Sequence, residues 1–138
     1  MKLYTASSWR NKKYPGIVEE LLYAGHRVYD FTAANCWFKW EEVDKEWESW
    51  DNKQFINALS HPLSRRAFSS DHRGMEWADA CVLVLPCGKS AHIEAGYMKG
   101  RGKKLYILLD GEATRAELTY SIADGIFRNT AELMGALQ

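Results

Sequence analysis

A chain of 138 residues, 46% hydrophobic and 26% charged, can bury one globular core and needs no second, so a single domain over 1–138 is expected. Eighteen basic residues offset eighteen acidic ones, which excludes the one-signed field that draws a protein to duplex nucleic acid or an anionic membrane. Three cysteines without a CxxC pair make a poor disulfide framework, no apolar run is long enough for a bilayer, and the first residues lack the pattern of a secretory leader; the cytoplasm is the expected compartment.

In chain order, β-rich runs alternate with helical patterns. Residues 2–5 read as a strand followed by a helix over 14–24, and 27–30 as a second strand. Residues 80–85 read as a third strand leading to a helix over 90–100, and 104–108 as a fourth leading to a helix over 116–123. A short fifth strand over 125–128 precedes a helix reaching 137, capped by Asn129 or Thr130. This alternation predicts an α/β fold of the flavodoxin or Rossmann-like kind, a parallel five-stranded sheet with helices on both faces. Gly25 and Gly100 stand where left-handed helix C-caps are expected. The stretch 31–70 fits worst: it holds Trp37, Trp40, Trp47 and Trp50, four of the six tryptophans, and reads as a Trp-rich insert after strand two. Lysines and glutamates between the rings point to a wet helix surface there.

Open parallel sheets bind ligands beyond the carboxyl ends of their strands, where the strand order reverses; in a flavodoxin-like order that lies between strands one and three. Two loops are singled out: Ala6, Ser7, Ser8, Trp9 and Arg10 after strand one, and Pro86, Cys87, Gly88, Lys89 and Ser90 after strand three. Gly88-Lys89-Ser90 does not complete a Walker A loop, because Leu83 stands where its first glycine belongs. Nor do His92 and Glu94 complete a zinc deaminase site, since Pro86-Cys87 precedes them and no second cysteine follows at the required spacing. No metal and no cofactor are expected.

On a helix starting at Ser90, the residues Ala91, Ile93, Ala95, Tyr97 and Met98 share a broad face, with Glu94 in its middle and His92 and Lys99 opposite. Glu94 is not a reciprocal cap for Ser90, which would fall at Ile93, and the residues three and four positions on, Tyr97 and Met98, offer it no ion pair. Its place in the first turn suits a negative charge. Two readings stand: an acid that leans into water and complements the helix dipole, or a charged acid in a ligand crevice, as a nucleophile requires.

The run from Asp71 through Trp77-Ala78-Asp79 and Ala80-Cys81-Val82-Leu83-Val84-Leu85-Pro86, then Ser90-Ala91-His92-Ile93-Glu94-Ala95-Gly96-Tyr97 and Gly102-Lys103, resembles the core of nucleoside 2-deoxyribosyltransferases and the related deoxynucleoside monophosphate N-glycosidases. The shared order is an Asp, then an Asp–strand–loop–x–Glu–x–Gly unit, then Gly-Lys before the next strand. It covers the strand-one loop and residues 71–108, a little over a third of the chain. The resemblance implies cleavage or transfer at an N-glycosidic bond, with Glu94 attacking the anomeric carbon and Asp71 contacting the base or assisting its departure. Tyr4 matches the strand-one tyrosine that holds the nucleophile; Ser90 and the Ser7-Ser8 loop match positions that bind sugar hydroxyls or a 5′-phosphate. It further implies a nucleoside or nucleotide as partner and a homodimer that lends residues across its interface. The chain departs from the pattern six residues before the glutamate, where an Asp or Ser is usual and Gly88 stands.

Plainer roles compete. Asp71 also suits the N-cap of a helix running to Ala78, Asp79 a turn entering strand three, and Ser7 and Ser8 local bonds to backbone amides. Arg10, Lys12 and Lys13 form a solvated cluster or a phosphate clamp. Trp37 and Trp40 either stack a base or pack the insert. A nucleotide-binding module without turnover, using Glu94 to hold a ribose, is the alternative to an enzyme.

Overall fold

The computed structural model describes residues 1–109, 111 and 115–138. In chain order its strands and α-helices are β1 (Lys2–Ala6), α1 (Tyr14–Tyr23), β2 (Arg27–Asp30), α2 (Asn52–Ala58), α3 (Pro62–Trp77), β3 (Ala80–Val84), α4 (Lys89–Gly100), β4 (Lys104–Leu108), β5 (Gly125–Phe127) and α5 (Thr130–Ala136). Its contacts fall into two compact units, one of residues 1–30 and 75–138 and one of residues 31–74.

The first unit holds the sheet, five parallel strands in the order β2-β1-β3-β4-β5, which is the expected fold class with its reversal between β1 and β3. Successive strand residues point to opposite faces. Tyr4, Ala6, Cys81, Leu83, Leu105 and Ile107 share one core with Ala91, Ala95 and Met98 of α4. On the other face Thr5 meets Tyr14 of α1, whose buried residues Tyr14, Ile17, Val18 and Leu21 recur at helical spacing. Each leucine fully buried in such a core contributes about 1.5–3 kcal/mol.

Pro15 lies in the first turn of α1, where a missing N–H costs nothing, and Gly25 follows its end with φ 91°, as expected of a left-handed cap. Gly100 does not play that part. It lies inside α4, and the positive φ (82°) belongs to Gly102, after the C-cap Arg101. This turn delivers Lys103, whose ammonium donates to the carbonyls of Met75 (2.7 Å), Glu76 (2.6 Å) and Ala78 (2.6 Å) at the end of α3. Asp79 is the turn residue expected before β3: its N–H donates to the Lys2 carbonyl (2.8 Å) and its carboxylate accepts from the Lys2 N–H (3.0 Å). The helix expected over 116–123 is instead a 3-10 segment, Leu118–Ile122, with Leu118 89% exposed; without an apolar stripe to bury, no α-helix is stabilised there.

In the second unit the tryptophans lie not on a helix but on loops and two 3-10 turns, Trp40–Glu42 and Trp47–Ser49. Trp40 meets Phe38, Trp50 and Phe55 edge-on at centroid distances of 4.9, 5.6 and 6.3 Å, and Asp44 accepts from the Trp50 indole at 2.8 Å. Asp51 and Gln54 form a capping box at the start of α2. Asp71 is not an N-cap. Helix α3 begins nine residues earlier at Pro62, its Leu63 N–H satisfied by His61 Nδ1 at 3.1 Å, which leaves Asp71 in the helix interior. Among the described residues, no helix is long and apolar enough to cross a membrane.

Candidate functional site

The site is built at the carboxyl edge of β1 and β3. In the parallel register Tyr4 lies between Tyr29 of β2 and Cys81 of β3. Its ring is 1% exposed, and its hydroxyl donates a hydrogen bond to Glu94 Oε2. Tyr4 and Glu94, ninety residues apart, are thus brought together. Glu94 is half-buried and is the sixth residue of α4, which starts at Lys89 with Gly88 as N-cap. Ser90 is therefore inside the helix rather than its cap, and no acid occupies the first turn. The helix dipole weakens beyond that turn, so the phenol, more than the dipole, holds this carboxylate. The broad apolar face expected of α4 narrows to Ala91, Ala95 and Met98; Ile93 is 72% exposed, and Glu94 sits on a flank of the buried stripe.

The charge of Glu94 acts on the groups around it. Burial raises the Cys87 thiol to about 12, and the negative charge of Glu94 adds to the effect; the same two causes, in the same order, raise the thiol of Cys81. Burial also raises the Tyr14 phenol, and the charges of Asp30 and Glu94 push in the same direction.

The loop after β1 is tied down from within. Ser7 Oγ donates to the Val84 carbonyl (2.8 Å) and accepts from Asn11 Nδ2 (3.1 Å), while Ser8 Oγ accepts from the Arg10 N–H (3.1 Å). Asn11, 5% exposed, also accepts from the Lys13 N–H (3.0 Å) and organises the turn into α1. Trp9 and Arg10 are exposed at its tip. Across the reversal, Gly88 and Ser90 are exposed at the start of α4. Asp71, Trp37 and Trp40 belong to the second unit, where all three are half-buried, with Lys39 Nζ 5.3 Å from the Trp37 ring centre.

On the opposite flank of α4 a cleft of about 910 Å³ is lined by Leu83, Leu105, Ile107, His92 and Tyr120. His92 Nδ1 lies 2.7 Å from the Gly88 carbonyl, and Nε2 lies 2.8 Å from the Tyr120 hydroxyl. A carbonyl only accepts, so Nδ1 carries a hydrogen. Sequence reasoning missed this link, Asn11, and the buried chain on the far face: Thr5 Oγ1 to Tyr14 (2.7 Å) and to the Tyr29 carbonyl (2.8 Å), and Tyr14 to Asp30 Oδ1 (3.0 Å). The residue types alone do not reveal such bonds. One signal was available for Tyr29, which falls opposite Tyr4 once β1 and β2 are paired in register.

The sheet order makes this an α/β protein with a tyrosine-held carboxylate beside the reversal of strand order. The sequence matches no protein-family model and no curated protein. Among solved structures, it is similar to a 2-deoxyribosyltransferase from the psychrotolerant bacterium Bacillus psychrosaccharolyticus, with a TM-score of 0.63 and 16% identity over 97% of this chain and 90% of that one. It is also similar to the Clostridium botulinum CMP N-glycosidase BcmB, with a TM-score of 0.55 and 16% identity over 99% of this chain and 98% of that one. At this identity the likeness is one of fold.

Proposed function

We propose that this protein cleaves the N-glycosidic bond of a nucleoside or nucleotide, passing the sugar to water or to a second base, with Glu94 as nucleophile. The observation that carries the reading is the Tyr4–Glu94 hydrogen bond, a half-buried carboxylate steered by a buried phenol beside the β1–β3 reversal. Likeness of fold to a 2-deoxyribosyltransferase and a CMP N-glycosidase supports it.

In this mechanism a Glu94 oxygen attacks the anomeric carbon. The carbon–nitrogen bond breaks, and its electron pair leaves with the base, which takes a proton from an acid, the role proposed for Asp71. Positive charge builds on the sugar in the transition state, and a carboxylate stabilises it before capturing the carbon as an ester. Water or an acceptor base then attacks the same carbon, loses a proton to Asp71 and frees Glu94. Ala6, Ser7, Ser8, Trp9 and Arg10 bind the sugar together with Gly88 and Ser90. The working unit is a cytoplasmic homodimer that needs neither metal nor cofactor.

The test is incubation with ribo- and deoxyribonucleosides and their monophosphates, with and without an acceptor base, followed by chromatography of the released base. Release should fall at least about 10³-fold in Glu94→Gln while substrate binding persists. Unchanged release in that variant would overturn the role of Glu94. Binding without turnover in the unaltered protein would instead favour a nucleotide-binding module in which Glu94 holds a ribose hydroxyl.

A further inference from the structure

We propose that Tyr29 is a positioning residue for the Glu94 carboxylate, acting through the ring of Tyr4; this rests on the reading of Glu94 as nucleophile. Tyr4 and Tyr29 are register neighbours on parallel strands, and their rings stack at 5.1 Å between centroids with 8° between planes. A phenol hydroxyl sits at the end of a long lever. A small tilt of the whole ring on its strand, out of the ring plane, carries the oxygen far enough to break a hydrogen bond. A flat ring against the face of Tyr4 blocks that tilt.

Tyr29 can serve as a stop because its own main chain is held. Its carbonyl accepts from Thr5 Oγ1 at 2.8 Å, and Thr5, fully buried, also bonds Tyr14 at 2.7 Å. Tyr14, 1% exposed, is 3.0 Å from Asp30 Oδ1 on the residue after Tyr29. The polar chain on the α1 face of the sheet therefore fixes the strand that carries the stacking ring on the α4 face. Glu94 depends on this, since its terminal torsion is itself broad, and the phenol bond selects the rotation that presents an oxygen along the line of attack.

The experiment is a double-mutant cycle on base release, using Tyr29→Leu, which keeps apolar bulk but removes the flat face, Tyr29→Phe, which keeps the face, and Tyr4→Phe. Tyr29→Leu should lower kcat roughly 10- to 100-fold with KM within about twofold, the pattern of a misaligned group rather than a lost substrate contact. Tyr29→Phe should stay within about threefold of the unaltered protein. Tyr29→Leu added to Tyr4→Phe should cost almost nothing more, because the ring has no phenol left to aim. Losses that multiply in the double variant, or a Tyr29→Phe as impaired as Tyr29→Leu, would overturn the proposal. A second readout needs no turnover: the hydrogen-bonded phenol proton of Tyr4, assigned by its loss in Tyr4→Phe, should be visible by NMR in the unaltered protein and in Tyr29→Phe and vanish in Tyr29→Leu. Its persistence in a folded Tyr29→Leu would also overturn the proposal. If the unaltered protein releases no base from any substrate, the glycosidic reading fails while the proton still reports whether Tyr29 aims Tyr4.

Discussion

Cys87 offers a way to read the charge on Glu94 without a substrate. With its thiol raised to about 12, first by burial and then by Glu94, roughly one molecule in 10⁴ carries the thiolate at pH 8. In a Cys36→Ser background, which removes the half-buried thiol of the second unit, iodoacetamide should modify the native chain very slowly, and Glu94→Gln should speed modification at the same pH. Equal rates would mean that the carboxylate charge does not reach the sulfur. The shift also sets a sign for stability. A thiol held protonated in the fold contributes below about pH 9, and the contribution is lost as pH rises through about 12. Glu94 stood out in the sequence because neither a cap nor an ion pair within its helix accounted for it. Its partner could not be found that way, since Tyr4 lies ninety residues off and only the family resemblance pointed to it. Tyr29, Asn11 and His92 act through bonds across strands and loops, and a linear reading has no term for these.

At the scale of elements, Lys103 joins the end of α3 to the start of β4. It was noticed in the sequence only as half of a Gly-Lys pair; the structure gives it three backbone carbonyls, and Gly102 the backbone turn that aims it there. A cation at a helix carboxyl end meets both the dipole and the unpaired carbonyls. Lys103→Met should therefore cost about 2–3 kcal/mol and lower Tm by roughly 6–15 °C in a thermal melt. Lys103→Arg should recover little, because a planar fork cannot converge on three carbonyls as an ammonium does. Strands and the longer helices were legible because period-two and period-3.6 patterns were strong over 2–30 and 80–108. The segments at Trp40–Glu42, Trp47–Ser49 and Leu118–Ile122 were not, since turns of three to five residues carry too few positions for a period. The start of α3 was misplaced for a related reason: Pro62 and His61 cap it, and Asp71, a good cap by type, was not needed as one.

For the molecule as a whole, the expected α/β class and strand order follow from the alternation of elements, and that same order spreads the sheet across the chain. Strand β1 pairs β2 on one side and β3 on the other, with Leu3 opposite Val28 and Ala80. A chain cut after Asp79 would keep β1 and β2 but lose the strand and helix that cover Tyr4, and limited proteolysis should cleave readily within residues 1–30 of it, whereas the same residues resist in the full chain. Protection of residues 1–30 in the cut chain would show that the first two strands and α1 suffice. The separation also has a cost in time. Ribosomes add about 5–20 residues per second, so Ala80, 77 positions after Leu3, appears roughly 4–15 s later. Throughout that interval the nascent chain carries Leu3-Tyr4-Thr5-Ala6 with one edge open to any passing strand, and chaperone supply during synthesis should govern the yield of this protein more than the stability of its finished fold.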